Sequence, residues 1–241
     1  MGGFVIVRQL LWQLFKLFFP PACPLCSRTL PNDSPKIFCA DCWSGFRPLS
    51  DAHCPLCALP FTGISNSSHL CGRCIKQLPT YEKVYAVGLY ETSLRRAIHQ
   101  FKFNHKVSLD RSLGKLLEQA VDSNLHIDLV VPVPLHRKRL QQRNYNQALL
   151  LAREFARIRK VPVANDLLLK VNETNSQQGL SAKERVKNLQ GAFTLQGAIT
   201  GKTILLVDDV MTTGATVETC SQVLIAGGAV KIYVAVIGRA A

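Results

Sequence analysis

The chain has 241 residues, and 47% of them are hydrophobic, which is enough for one medium domain and one small domain and excludes a globally disordered chain. Lysine and arginine outnumber aspartate and glutamate by 29 to 16, so the formal net charge is +13. This excess indicates an anionic partner, and phosphorylated substrates, nucleic acids and anionic lipids all fit its sign.

Residues 1–20 are predicted to form an amphipathic helix. Residues 4–19 are largely apolar, and their polar side chains fall on one arc of a helical wheel. The stretch is shorter than the ~20 apolar residues of a membrane-spanning helix. It also lacks the basic start and the cleavage site of a signal peptide. Two interpretations stay open: the helix packs on the protein or a partner, or it lies in a membrane interface. We expect a cytoplasmic protein, at the inner face of the membrane in the second case.

Eight of the nine cysteines form four Cys-x-x-Cys pairs within residues 21–78. The first two pairs and the last two pairs have nearly equal spacing, and each unit is long enough for a zinc ribbon. We predict a double zinc ribbon rather than a disulfide framework, which is typical of exported proteins. The spacing allows sequential or interleaved pairing and one or two zinc ions. The predicted ligands are Cys23, Cys26, Cys39, Cys42, Cys54, Cys57, Cys71 and Cys74.

From residue 79 to residue 241 the pattern changes to alternating strands and helices. Such alternation predicts an α/β domain, with a parallel sheet flanked by helices and a ligand at the carboxyl ends of the strands. Strands are predicted at 84–90, 127–133, 167–171, 203–207 and 230–237. Helices are predicted at 93–103, 109–124 and 146–159, and a last one ends at Gly227 and Gly228.

The segment 131–147 follows a predicted buried strand and is strongly basic. Forked guanidinium groups and amines at this edge are suited to a pyrophosphate group. The alternative interpretation is a solvated basic loop. The cationic side chains are His136, Arg137, Lys138, Arg139 and Arg143.

The segment 170–193 is long and polar, which is typical of a lid over a site. A lid would exclude water during transfer of a sugar. The alternative is a surface excursion without function. Its candidate contacts with a bound sugar are Gln177, Arg185 and Asn188.

The strand at 203–207 leads into the most informative motif of the chain. Asp208 and Asp209 end its apolar run and are expected to face sugar hydroxyls. A loop of small residues and a helix start follow, so amides and hydroxyls can bind a phosphate, which Gly214 allows to approach closely. A Rossmann-like turn is the general alternative, but the whole set is more specific. The stretch resembles the phosphoribosyl pyrophosphate (PRPP) motif of type I phosphoribosyltransferases. The loop residues are Thr212, Thr213, Gly214, Ala215 and Thr216.

Together these features resemble the competence protein F (ComF/GntX) family, which joins a zinc module to a phosphoribosyltransferase domain. Its marks include the cysteine pairs, the segments 101–103 and 131–135, the Arg139/Arg143 spacing, the 174–188 series and the 208–216 motif. One departure is Asn144, where the family has glycine; asparagine tolerates a positive φ.

The resemblance implies catalytic roles for Asp208 and Asp209, with PRPP and Mg²⁺ as ligands. It also implies a role in natural transformation, with single-stranded DNA and the DNA-uptake helicase or membrane machinery as partners. The sequence leaves open whether the chain is an enzyme or a binding protein. A phosphoribosyltransferase of nucleotide metabolism without any DNA role is the alternative. A basic helix fits single-stranded DNA through Arg153, Arg157, Arg159 and Lys160.

Overall fold

The computed structural model describes residues 20–31, 37–61, 68–103, 108–172 and 191–241. The predicted N-terminal helix therefore lies outside the described residues, apart from its last residue. The chain forms two compact units, 1–45 and 46–241. This division falls between the two predicted ribbons, so the second ribbon belongs to the same unit as the α/β domain.

The described part of the first unit is one ribbon. Its knuckle is closed by an antiparallel bridge between Ala22 and Thr29. Helix α1 (Ala40–Ser44) begins directly after Cys39. Phe38 is fully buried in this small unit. Because so few apolar residues are available here, we expect bound metal to supply most of its stability.

The second ribbon repeats this local structure. A bridge between His53 and Pro60 closes its knuckle, and helix α2 (Gly72–Lys76) begins directly after Cys71. The two ribbons thus place equivalent cysteines on equivalent turns, as expected for two copies of one unit.

A four-stranded parallel sheet forms the centre of the second unit. Its strand order is β1-β6-β5-β2, and every neighbouring pair is parallel. The segment around Val163 continues the sheet beyond β2 through an isolated parallel bridge to Val130. The strands are β1 (Lys83–Leu89), β2 (Leu129–Pro132), β5 (Thr203–Met211) and β6 (Lys231–Arg239).

Helices flank this sheet and confirm most of the predicted elements. The predicted inward face of helix α3 (Thr92–Phe103) is correct, because Leu94, Ala97, Ile98 and Phe101 are fully buried. Helix α4 ends four residues before the predicted end, at Ala120. The last helix stops at Gly227, as predicted. The helices are α3 (Thr92–Phe103), α4 (Leu109–Ala120), α5 (Arg137–Arg143), α6 (Gln147–Arg159) and α7 (Ala215–Ala226).

Two short strands lie apart from the parallel sheet. Strand β3 (Leu168–Lys170) was expected among the parallel strands, but it pairs antiparallel with β4 (Phe193–Leu195). Strand β4 has no counterpart among the predicted elements. A three-residue strand carries too little periodicity to reveal its partner, which lies more than twenty residues away along the chain.

Backbone groups of residues 46–61 cover the outer edge of β1. The Val84 amide donates to the Leu56 carbonyl at 2.8 Å, and the Leu89 amide donates to the Arg47 carbonyl at 2.8 Å. Gly88 permits this approach, since an added Cβ would lie 2.4 Å from the Arg47 carbonyl oxygen. The edge strand is therefore partly hydrogen-bonded on both sides.

Among the described residues, no helix is long and apolar enough to span a bilayer.

Candidate functional site

The eight paired cysteines form two clusters, and pairing is sequential within each ribbon. All are free thiols, and the sulfurs of a cluster lie within 4.8 Å of one another. The Sγ atoms of Cys26 and Cys39 are 3.5 Å apart, and those of Cys57 and Cys71 are 3.6 Å apart. Tetrahedral zinc with 2.3 Å bonds to sulfur requires about 3.8 Å between ligands. Both clusters therefore fit one structural zinc ion each.

The phosphate-type loop lies at the carboxyl end of β5. The strand was predicted to end before the two acids, but it continues to Met211, so both acids lie inside it. Gly214 has φ +80° and caps helix α7. The Ala215 amide is 3.4 Å from the Thr213 hydroxyl oxygen. A pocket is lined by Asp208 and by the strand end and loop from Val210 to Val217. The structure thus brings all five predicted loop residues together at a helix N-terminus.

The acidic pair lies beneath this loop. Asp209 is 8% exposed, and its Oδ1 atom is 2.7 Å from the Lys102 Nζ atom. The Asp209 amide donates to the Asp208 carboxylate at 2.8 Å. Helix α3 therefore delivers a lysine to the predicted catalytic pair. Lys102 belongs to a segment that the sequence indicated only through the family resemblance, without a role.

Burial, together with the charge of Asp209, raises the pKa of Asp208 to about 7, while the Lys102 and Lys170 charges act against this rise. Burial and the nearby Arg139 charge lower the pKa of Lys170. The acidic pair is therefore enclosed by cations from helices α3 and α5 and from strand β3. The sequence did not indicate Lys170, because only the fold brings its charge within range of Asp208.

The basic segment after β2 forms helix α5, which the sequence did not predict. His136 caps α5, and its Nδ1 atom accepts from the Lys138 amide at 3.4 Å. Arg137 and Lys138 are exposed, whereas Arg139 and Arg143 are half-buried one turn apart. Burial lowers the pKa of Arg143, and the negative charges of Asp209 and Asp208 act against this decrease. Among the cations of this segment, Arg143 therefore lies within range of the acidic pair, and Arg139 lies near Arg143 and Lys170.

A tight turn connects α5 to α6. Asn144 adopts φ +62° and ends α5, so the predicted tolerance of asparagine at this position is confirmed. The Tyr145 hydroxyl donates to the Phe101 carbonyl. The Asn146 side chain donates to the Val133 carbonyl at 3.1 Å and accepts from the Ala148 amide at 3.0 Å. The turn fixes the direction of α5 relative to α3 and β2.

The basic face of α6 is partly neutralised. Arg157 forms an ion pair with Glu154 at 2.7 Å. Arg159 forms one with Glu118 of α4 at 2.7 Å, and it donates to the carbonyls of residues 121–123. The predicted lid residues Gln177, Arg185 and Asn188 lie outside the described residues.

Comparison with known proteins agrees with this architecture. Residues 14–75 match a double zinc ribbon domain, and residues 144–240 match a phosphoribosyl transferase domain. Competence protein F of Haemophilus influenzae is 37% identical over 179 residues, which cover 70% of this chain and 78% of the relative. The chain belongs to the competence protein F family.

A second relative in this comparison is DNA utilization protein YhgH of Escherichia coli K12. It is 35% identical over 188 residues, covering 75% of this chain and 81% of the relative. The allosteric regulatory enzyme of purine biosynthesis is a structural neighbour at 22% identity and a TM-score of 0.39, over 54% of this chain and 26% of that enzyme. Membership in the competence protein F family does not depend on this last likeness.

Proposed function

We propose that this chain binds PRPP with Mg²⁺ at the carboxyl edge of its parallel sheet. The observation that carries the proposal is the loop 212–216 at the start of α7, close to an acidic pair in which Asp209 is buried and paired with Lys102. Loop amides and hydroxyls would hold the 5-phosphate. Asp208 and Asp209 would hold the ribose hydroxyls, and Arg139 and Arg143 would bind the pyrophosphate.

The same groups suit phosphoribosyl transfer to a nitrogen nucleophile. The carboxylates would stabilise the positive charge that develops on the ribose ring as pyrophosphate leaves. The cations of α5, with Arg137 and Lys138 at its exposed face, would stabilise the leaving group. Mg²⁺ prefers carboxylate and phosphate oxygens, which Asp208, Asp209 and the ligand would provide, and it neutralises pyrophosphate charge. Such an enzyme could act in nucleotide metabolism without any DNA role, which is the alternative to the role in DNA uptake proposed below.

The test is calorimetric titration of the full-length protein with PRPP and Mg²⁺. We expect Asp209→Asn to weaken binding at least tenfold while circular dichroism stays unchanged. Asp166→Asn, on an exposed loop, is the matched control and should bind like the wild type. Absence of PRPP binding by the wild-type protein would refute the proposal, and equal binding by Asp209→Asn would refute the role of the acidic pair.

We also propose that the chain acts with single-stranded DNA in DNA uptake and transformation. Its support is the name of each relative, competence protein F and DNA utilization protein, and the net charge of +13. Since Arg157 and Arg159 are engaged in ion pairs, other cations must carry most of the contacts. We expect affinity for a single-stranded oligonucleotide to fall steeply between about 50 and about 200 mM salt, because contacts with phosphates weaken as the salt concentration rises. Salt-independent or absent binding would contradict a direct DNA role.

A further inference from the structure

A side chain of the second ribbon, Arg73, lies beside the phosphate loop. This residue lies between Cys71 and Cys74, on helix α2. A Cβ atom added to Gly214 would lie 3.6 Å from Nη2 and 3.8 Å from Nη1 of Arg73. Both terminal nitrogens of the guanidinium therefore lie beside the glycine of the loop, where a bound phosphate would approach the backbone.

Two further contacts hold the ribbon and the loop together. Arg239 is 1% exposed, and its guanidinium donates to the Cys57 carbonyl at 2.8 Å and to the Thr212 carbonyl at 2.7 Å. The Thr80 amide and hydroxyl donate to the Glu218 carboxylate in the first turn of α7, at 3.1 and 2.6 Å. The position of α2 relative to the loop is thus fixed by buried and half-buried hydrogen bonds.

The guanidinium of Arg73 is also oriented from the ribbon side. The Cys57 sulfur lies close enough to interact with it by hydrogen bond and by charge. Groups that contact a metal ligand in this way usually have a defined orientation. The first ribbon has Asp41 at the equivalent position, between Cys39 and Cys42, and Asp41 pairs with Arg28. The two repeats therefore differ in charge at the position that, in the second ribbon, faces the loop.

We propose that Arg73 is a binding residue for the 5-phosphate of the sugar, so that the second ribbon forms one wall of the phosphate site. This inference rests on the proposed function, since it assumes that the loop 212–216 binds a phosphorylated sugar. A guanidinium supplies two parallel donors to a phosphate, in addition to the amides of the loop. The zinc site then serves the ligand indirectly, because it fixes the helix that carries Arg73.

The test is titration of the full-length protein with three ligands: PRPP with Mg²⁺, ribose 5-phosphate and inorganic pyrophosphate. We expect Arg73→Gln to weaken binding of PRPP and ribose 5-phosphate by about tenfold to a hundredfold, the usual range for one charge-assisted hydrogen bond. Pyrophosphate, which lacks the 5-phosphate, should bind within about twofold of wild type. Lys76→Ala removes an exposed cation from the same helix and is expected to leave all three affinities unchanged.

Zinc content, measured by mass spectrometry, accompanies each variant, because Arg73 borders a metal ligand. Arg73→Lys keeps the charge and is expected to recover part of the ribose 5-phosphate affinity at full zinc content. Wild-type affinity in zinc-replete Arg73→Gln, or an equal loss for pyrophosphate, would overturn this proposal and leave PRPP binding intact. No PRPP binding by the wild type would instead refute the proposed function itself.

Discussion

The partly buried position of Asp208 beside Asp209 predicts a pH-dependent cost to stability. Its pKa is raised from 3.8 to about 7 in the folded protein. Because the folded state holds this proton more tightly than the unfolded state, the contribution is fully present below pH ~4 and is lost as pH rises through about 7. Substituting Asp208 with Asn, which stays neutral, should therefore stabilise the protein more at pH 8 than at pH 5.

The expected size of this effect follows from the pKa difference. About three pKa units at ~1.36 kcal/mol each set an upper limit of ~4 kcal/mol. Between pH 5 and pH 8 the free-energy difference grows by the equivalent of about two of those units, because it stops growing above the folded pKa of about 7. Since Asp208 is only half-buried and faces solvent at the pocket, we expect ~1–2 kcal/mol to remain after screening. The Asn oxygen can still accept from the Asp209 amide, so the local hydrogen bond is preserved.

The assay is urea unfolding at fixed zinc concentration, without PRPP or added Mg²⁺, at pH 5, 6, 7 and 8. Circular dichroism is the suitable probe, because both tryptophans of the chain, Trp12 and Trp43, lie in the first unit. Asp166→Asn on an exposed loop controls for loss of one negative charge. A stability difference that is constant across this pH range, or a variant less stable than wild type at pH 8, would refute the reasoning.

Three further predictions concern the loop, the ion pair and the ribbons. Gly214→Ala should reduce PRPP affinity in calorimetry, because alanine at a φ of +80° is strained by ~1–2 kcal/mol and the loop relieves this strain by leaving the conformation that would bind the phosphate; wild-type affinity would contradict this. Lys102→Met should lower the free energy of unfolding by ~2–4 kcal/mol, because it leaves Asp209 buried without its partner. The double variant Lys102→Met/Asp209→Asn should recover most of that loss in the same urea assay, and no recovery would argue against the pair. Cys54→Ser should lower hydrogen-exchange protection of the Val84 and Leu89 amides, which contact the second ribbon, whereas Cys23→Ser should not; equal effects would contradict the division into two units.

Local sequence patterns were sufficient to predict the elements that are determined by residues close together in the chain. The apolar run before Asp208 predicted a buried strand, and the small residues after it predicted the loop and the start of α7, all of which the structure contains. The cysteine spacing predicted two ribbons, and sequential pairing followed only from their folded geometry. In each case the informative residues are close in sequence, so local rules apply.

Non-local contacts account for most of what the sequence did not show. Helix α5 has no buried residue, so it lacks the apolar periodicity by which a helix is predicted. Lys102 and Lys170 become site residues because the fold brings them close to Asp209 and Asp208, which are far away along the chain. Arg73 is a similar case, since its spacing indicates only a residue between two metal ligands. Such roles depend on tertiary packing, which no local pattern encodes.

The backbone cover on β1 has a practical consequence for dissecting this protein. A fragment cut at the predicted boundary near Leu78 would keep all four parallel strands but lose the Arg47 and Leu56 carbonyls that pair with β1. The exposed amides of an edge strand can pair with another molecule, which favours aggregation. A soluble fragment for crystallisation should therefore begin at or before Phe46, so that the second ribbon continues to protect the sheet from self-association.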